Sequence, residues 1–240
     1  MDVSWEDLGW ERLGDGVGRR RLPVWDATAA LVAGTEGVLL HDTGSSLREG
    51  AELRAQAERL LGRRVTHIAL SHPHFDHVLG TAAFAGAEVY GAVGTAELLA
   101  EGAARLREDA VRHGMGEHEA TAATDALVVP RHQVSGEWTL DLGGGLQVLL
   151  ANVGPGHTGH DLAVLVPGSP VVVLCGDLVE ESGEPQAGPD AVPRRWPAAL
   201  DRLLELGGED ALYVPGHGAV VDAAFVRAQR DRLAERFGVS

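Results

Sequence analysis

The run Ser71-His72-Pro73-His74-Phe75-Asp76-His77 constrains this chain more than any other stretch. It places four side chains able to bind a metal within six residues, directly after the apolar run 65–70. Three further pieces follow at long intervals: Gly156-His157-Thr158, Gly176-Asp177 and Pro215-Gly216-His217-Gly218. His157, Asp177 and His217 each lie near the end of another apolar run. A fold that uses them together must gather several strand ends at one place. Together they hold enough imidazole and carboxylate groups for two divalent ions.

The spacing within the first run has a local reading. His72 and His74 are two apart, so an extended backbone points both rings the same way. Pro73 disfavours a helical conformation for His72. Asp76 and His77 come one turn later, where a helix can start, and face a neighbouring point. One short segment can therefore feed two adjacent metals. Zinc, iron, manganese and nickel all suit such donors, and the donor list does not choose among them.

Two periodicities predict the surrounding elements. Residues 29–33 and 38–42 flank Gly34-Thr35-Glu36-Gly37 as a hairpin. Leu53, Ala57, Leu60 and Leu61 are spaced as a helix over 49–61 that stops at Gly62. Strand 65–70, a helix over 78–84 and strand 88–93 make a β-α-β unit. Thr95 is expected to cap a helix reaching about Val111. Further strands are expected at 138–140, 146–152, 162–166, 171–174 and 211–214, the last ending at Pro215. Helices are expected over 196–206 and 222–237. The stretch 113–132 reads as an irregular lid or pocket wall. This rhythm predicts an α/β chain, 1–240, folded as one domain of two face-to-face sheets with helices outside.

Composition narrows the function. The chain has 35 acidic residues against 20 arginines and no lysine, a formal net charge of -15. Such a surface repels nucleic acid and anionic membranes, so neither is expected as a partner. Cys175 is the only cysteine, which excludes an intrachain disulfide and a thiolate zinc knot. No stretch is apolar enough to span a bilayer, and residues 2–7 have neither a basic nor an apolar leader character, so a cytoplasmic protein is expected.

The histidine run resembles the signature of the metallo-β-lactamase superfamily. Asp42 in His41-Asp42-Thr43-Gly44, His157 in Gly156-His157-Thr158-Gly159-His160, Asp177 after Gly176 and His217 in Pro215-Gly216-His217-Gly218 match in order. The resemblance implies a four-layer αββα sandwich with the metals at one edge of the sheets. It implies that His72, His74 and His157 bind one metal, that Asp76, His77 and His217 bind a second, and that Asp177 bridges them. Two zinc ions per chain are expected, with iron or manganese as other fits. Asp42 would be a buried carboxylate steadying the ligand loop, and His160 a supporting residue. The implied activity is metal-dependent hydrolysis, with Asp76 and Asp177 catalytic and a hydroxide held by the metal pair attacking a small-molecule ester, thioester or lactone.

Other branches of the superfamily match less well. β-Lactamases of the commonest class carry a metal-binding cysteine where Asp177 stands, and a downstream lysine that this chain lacks; Cys175 sits two residues early in an apolar run. Glyoxalase II shares all seven ligands but continues beyond its last histidine, where only 23 residues follow His217. N-acyl homoserine lactonases carry a tyrosine at the position of Glu180. Flavin-coupled di-iron members replace the histidine at position 74, and ribonuclease Z-like members fit poorly with the acidic charge. Alternatives that stay open are a mononuclear iron persulfide dioxygenase-like oxidoreductase, a β-lactam hydrolase and a non-enzymatic metal-binding protein. Ser71 and Ser182 read as hydrogen-bonding residues. The roles of His113, His118, Glu180 and Trp196, and the oligomeric state, stay open.

Overall fold

The computed structural model describes residues 3–239. Seven strands form one sheet in chain order: β1 (Glu11–Gly14), β2 (Val17–Arg21), β3 (Thr28–Ala33), β4 (Val38–His41), β5 (His67–Ala69), β6 (Glu88–Ala92) and β7 (His132–Val134). Pairing is antiparallel from β1 to β4 and parallel from β4 to β7. The second sheet holds β8 (Glu137–Asp141), β9 (Gln147–Ala151), β10 (Ala163–Val166), β11 (Val172–Glu180) and β12 (Leu212–His217) in the order 12-11-10-9-8. Only β11 and β12 are parallel there.

The strands' period of two divides the core into three layers. Ala30, Val32, Leu39 and Ala69 of the first sheet meet Val148, Leu150, Val164 and Leu174 of the second. Their immediate neighbours Leu31, Leu40 and Ile68 face the other way, against Leu53 and Leu106 of α1 (Leu47–Leu61) and α3 (Thr95–Arg112). On the far side Val173 and Cys175 meet Leu200 and Val226 of α5 (Trp196–Gly207) and α6 (Ala223–Phe237). This is the αββα sandwich. Alternation enforces it, because every central strand is apolar on both faces and needs cover on both.

Several local expectations differ. The helix over 78–84 is instead a short α2 (Phe75–Val78) and a separate 3-10 turn, Thr81–Ala83. The run breaks because Thr43 N and Oγ1 donate to the His77 carbonyl and Gly80 N turns to the Gly44 carbonyl; only glycine fits at 80, where a Cβ would sit 2.0 Å from the Thr43 carbonyl oxygen. Thr95 does not cap α3; Gly94 holds that place with φ +91, and Thr95 is the first helical residue. The 113–132 stretch is not an irregular lid, since α4 (Glu117–Asp125) occupies its middle and buries Ala120 and Ala123. Strand β11 runs on through Asp177 to Glu180, and β12 passes Pro215 to reach His217. Strands β1 and β2, with no expected counterpart, cover the start of the first sheet. No helix among the described residues is long and apolar enough to cross a membrane.

Candidate metal centre

The parallel strands of both sheets end at one edge, and the chemistry gathers past their C-terminal ends. Asp42 follows β4. His72 follows β5. His74 caps α2 in an extended conformation (φ -94, ψ 152), and Asp76 and His77 occupy its first turn. His157 lies in the loop between β9 and β10, Asp177 within β11, and His217 at the end of β12. The β11–β12 register slips twice between Leu174 and Glu180, which turns Asp177 out of the ladder toward the histidines. Two glycines allow the close approach. A Cβ on Gly176 (φ +55) would lie 2.7 Å from the Ser71 side chain, and one on Gly216 only 1.8 Å from Asp177 Oδ1.

Ligand atoms of His72, His74, His157 and Asp177 lie within 4.8 Å of one another, as do those of Asp76, His77 and His217. Asp177 stands between the groups. Its Oδ1 is 3.2 Å from His77 Nε2, and its Oδ2 is 3.3, 3.4 and 3.7 Å from Nε2 of His217, His157 and His72. Asp76 Oδ2 is 3.4 Å from Nε2 of both His77 and His217.

Each ring is oriented by its outer nitrogen. His77 Nδ1 donates to Asp42 Oδ2 (2.8 Å), His217 Nδ1 to the Trp25 carbonyl (2.8 Å) and His157 Nδ1 to the Gln186 carbonyl (3.1 Å). His74 Nε2 donates to Asp190 Oδ2 (2.9 Å). Ser71 Oγ gives its proton to Asp42 Oδ2 and so accepts from His72 Nδ1 at 2.8 Å. All five inner nitrogens face a common space, where each can offer a lone pair to a metal that displaces any proton on it. His74 Nδ1 and His157 Nε2 meet at 3.0 Å, a hydrogen bond that either ring can donate and that a metal bound there would replace. His72 Nε2, His77 Nε2 and Asp177 Oδ1 are buried without any hydrogen-bond partner. Orphaned buried acceptors are costly, and a cation shared among them removes the cost. The donor set fits a divalent metal.

The electrostatics also call for positive charge. Burial works against ionising Asp177 and Asp76, yet His77 and its neighbours hold both well below the usual carboxylate range. Burial would lower His217, but Asp177 and its hydrogen bonds push it up to about 11. Burial pulls His157 down to about 4 against the attraction of Asp177.

Supporting residues divide into those the motifs pointed to and those they did not. Asp42 (φ +57) accepts from Ser71 N, Ser71 Oγ and His77 Nδ1, while Thr43 N and Oγ1 both donate to the His77 carbonyl. His160 belongs to neither group of ligand atoms; its Nδ1 donates to the Val93 carbonyl and ties the His157 loop to the first sheet. Trp196 is fully buried, its Nε1 donates to the Leu178 carbonyl, and its ring stands edge-on to His157. His113 stacks on Phe75, and His118 is an exposed residue of α4. Cys175 points among the helices, where burial pushes its thiol up. Asp161 and Asp190 support the site without belonging to any of the motifs. Asp161 accepts from the backbone of Gly156 and Thr158 and from Thr158 Oγ1, and Thr158-Gly159-His160-Asp161 is the local signal that could have found it. Asp190 carries no such signal, being 116 residues from the ring it holds.

A cleft of about 830 Å³ opens over the cluster. Its walls include Trp25, Phe75, Leu98, Leu106, Glu180 and Ser182. Glu180 is buried, accepts hydrogen bonds from Ser182 N and Oγ, and brings a carboxylate oxygen within 4.8 Å of ligand atoms of Asp177 and His217.

Comparison with known proteins agrees with this architecture. The sequence model of the family described as the metallo-beta-lactamase superfamily matches residues 22–217. Metallo-beta-lactamase domain-containing protein 1 of Xenopus laevis is 26% identical over 197 residues, covering 80% of this chain and 71% of its own. Metallo-beta-lactamase type 2 of Bacillus cereus is 25% identical over 203 residues, covering 83% and 70%. A solved metallo-beta-lactamase from Pontibacter korlensis superposes with a TM-score of 0.73 at 22% identity, over 92% of this chain and 98% of that one. One from Pseudomonas aeruginosa, solved in its mono-zinc form, gives 0.70 at 19% identity, over 96% of each. The last two likenesses concern the fold, and the family match takes in every residue of the cluster: the chain belongs to the metallo-beta-lactamase superfamily.

Proposed function

We propose that the chain is a hydrolase of small acyl substrates, an ester, thioester or lactone, that works with two divalent metal ions, zinc in the first place. The observation that carries this reading is the set of five histidines whose outer nitrogens are all engaged and whose inner nitrogens gather around Asp177. His72, His74 and His157 would hold one ion, Asp76, His77 and His217 the other, with Asp177 shared. Such ions, when bound, polarise a carbonyl and make water nucleophilic at neutral pH.

The chain's own residues do the rest. Asp42, Ser71 and Asp190 fix ring orientations before substrate arrives, so none of that ordering is needed during reaction. Asp76 Oδ2 borders the cleft between His77 and His217, where it can orient the attacking water and take its proton. The water oxygen joins the carbonyl carbon, the bond from that carbon to the leaving oxygen or sulfur breaks, and the leaving group takes the proton from Asp76. The partly apolar cleft suits a small molecule, and the -15 charge disfavours nucleic acid or an anionic membrane as partner.

The reading is tested by initial rates of the zinc-loaded protein on acyl esters, thioesters, lactones, a β-lactam, a bis-aryl phosphodiester and single-stranded RNA. The β-lactam is included because several relatives bear that activity in their names. Chelator-sensitive turnover concentrated among the acyl substrates is expected. RNA cleavage exceeding every acyl substrate refutes the reading, as does an active form with one iron that oxidises persulfides.

A further inference from the structure

One flank of α3, running from half-buried Leu98 to exposed Arg105 and Arg112, lines part of the cleft. Leu98, Gly102, Arg105, Asp109 and Arg112 recur at spacings of three and four, so they make one stripe along the helix. Gly102 leaves room on that stripe. The nearest atom to the position of its missing Cβ is Arg105 Nη2, at 3.4 Å, so the guanidinium folds back across this gap.

The charges lining the cleft are unequally engaged. Arg112 pairs with Asp109 at 2.8 Å. Asp190 is committed to His74, and Glu180 accepts from Ser182. Asp76 and Asp177 belong to the metal cluster. Glu184, on the segment after β11, has no cationic partner among the described residues. Among the described residues Arg105 makes no hydrogen bond or ion pair, and it is the only unpaired cation on the wall. The chain has 35 acids for 20 arginines, so paired arginines are easily come by elsewhere. Beside Arg105 runs an apolar strip of Leu98 and Leu106.

We infer that Arg105 is the anchor for a carboxylate at the end of the substrate's non-reacting arm, and that the aliphatic part of that arm lies along Leu98 and Leu106. The substrate class is then an ester or thioester whose arm is an amphipathic anion, such as a half-ester of an aliphatic dicarboxylic acid. The fork of the guanidinium matches a carboxylate in two parallel hydrogen bonds. The inference rests on the acyl-hydrolase reading for the word substrate, but the anchor itself is a matter of binding and is testable separately.

Two matched probe pairs separate the two claims. Adipic acid monoanilide and hexananilide are amides of equal reach that differ in one carboxylate, and their affinities for the zinc-loaded protein are measured by calorimetry. The monoanilide is expected to bind about tenfold tighter, equal to ~1.4 kcal/mol. That ratio should shrink between 0.05 and 0.5 M sodium chloride, by screening. In Arg105→Gln the ratio should fall to about one, in Arg105→Lys it should be partly retained, and in Arg107→Gln, on the same helix away from the cleft, it should keep its wild-type value. Equal affinities in the wild type, no measurable binding of either amide, or a preference that survives Arg105→Gln overturns the anchor. The last outcome would mean that the carboxylate seeks the metals instead. The corresponding p-nitrophenyl esters test the other claim: if neither ester is turned over while the amides behave as stated, the hydrolase reading falls and the anion site stands.

Discussion

Asp42→Asn is the substitution that separates ligand orientation from ligand identity. Asp42 touches no inner lone pair of the cluster, yet its carboxylate accepts from Ser71 N (2.7 Å), Ser71 Oγ (2.7 Å) and His77 Nδ1 (2.8 Å) at 1% exposure. Asparagine has nearly the same shape and tolerates the φ of +57, so the backbone should not move. It does change one acceptor into a donor. With the amide oxygen toward Ser71 N, the NH2 faces His77 Nδ1, and two donors cannot meet. His77 is relieved only by taking the other tautomer, which puts its proton on Nε2, the atom aimed at Asp177. A hydrogen bond to a charged acceptor contributes about 1.5 to 3 kcal/mol, and disturbing such partners lowers metal affinity about 10- to 100-fold. We therefore expect the variant to remain folded, to lose about 10- to 100-fold in affinity at the His77 site, and to lose less at the His72 site, which the same NH2 reaches only through Ser71 Oγ. Chelator competition gives the affinities, and nitrogen-15 NMR of the zinc-loaded and chelator-treated protein gives the His77 tautomer. Two tight sites with the His77 proton still on Nδ1 would refute the reasoning.

Three other perturbations test separate parts of the account. Gly216→Ala drives a methyl to 1.8 Å from Asp177 Oδ1, so it should cost about 1 to 3 kcal/mol of stability in denaturant titration and reduce metal stoichiometry; a variant that unfolds and loads like the wild type contradicts the close approach. Asp177→Asn should keep the fold by circular dichroism while lowering turnover at least ~100-fold even at saturating zinc, and near-normal turnover would count against a shared carboxylate. For the chelator-treated protein the pH sign follows from His217. Its folded value, about 11, lies above the ordinary ~6.5, so its contribution to stability is whole below about 6.5 and fades as pH rises toward about 11. Zinc must displace such protons, so calorimetry at neutral pH in buffers of different ionisation enthalpy should register proton release on loading; none would argue against metal at His217.

The sequence was most legible where chemistry and periodicity coincide. His72, His74, Asp76 and His77 share one segment, Pro73 restricts its backbone, and His157, Asp177 and His217 each lie near the end of an apolar run. The three-layer core follows from the same alternation. What stayed hidden depends on contacts at long range. Nothing near Pro189 announces that Asp190 reaches His74, and nothing in Glu88 to Thr95 shows that Gly94, close against His160, would displace Thr95 as the cap. The break near Gly80 in the ligand helix follows hydrogen bonds to Thr43 and Gly44, which lie past another strand end. Pro215 marks a strand end by propensity, but pairing with Gly176 of β11 carries β12 past it to His217. The helix α4 lies in a stretch whose many small residues hide its two-alanine contact with the core.

The central claim is that the converging lone pairs form a working two-ion centre for acyl hydrolysis. Zinc is removed with chelator, returned in sub-stoichiometric steps, and turnover of the best acyl substrate is recorded against metal bound per chain. The account predicts no turnover in the stripped protein, two ions bound at saturation, and full recovery only as the second ion loads. Turnover undiminished by stripping, or saturation without any tightly bound ion, would contradict it.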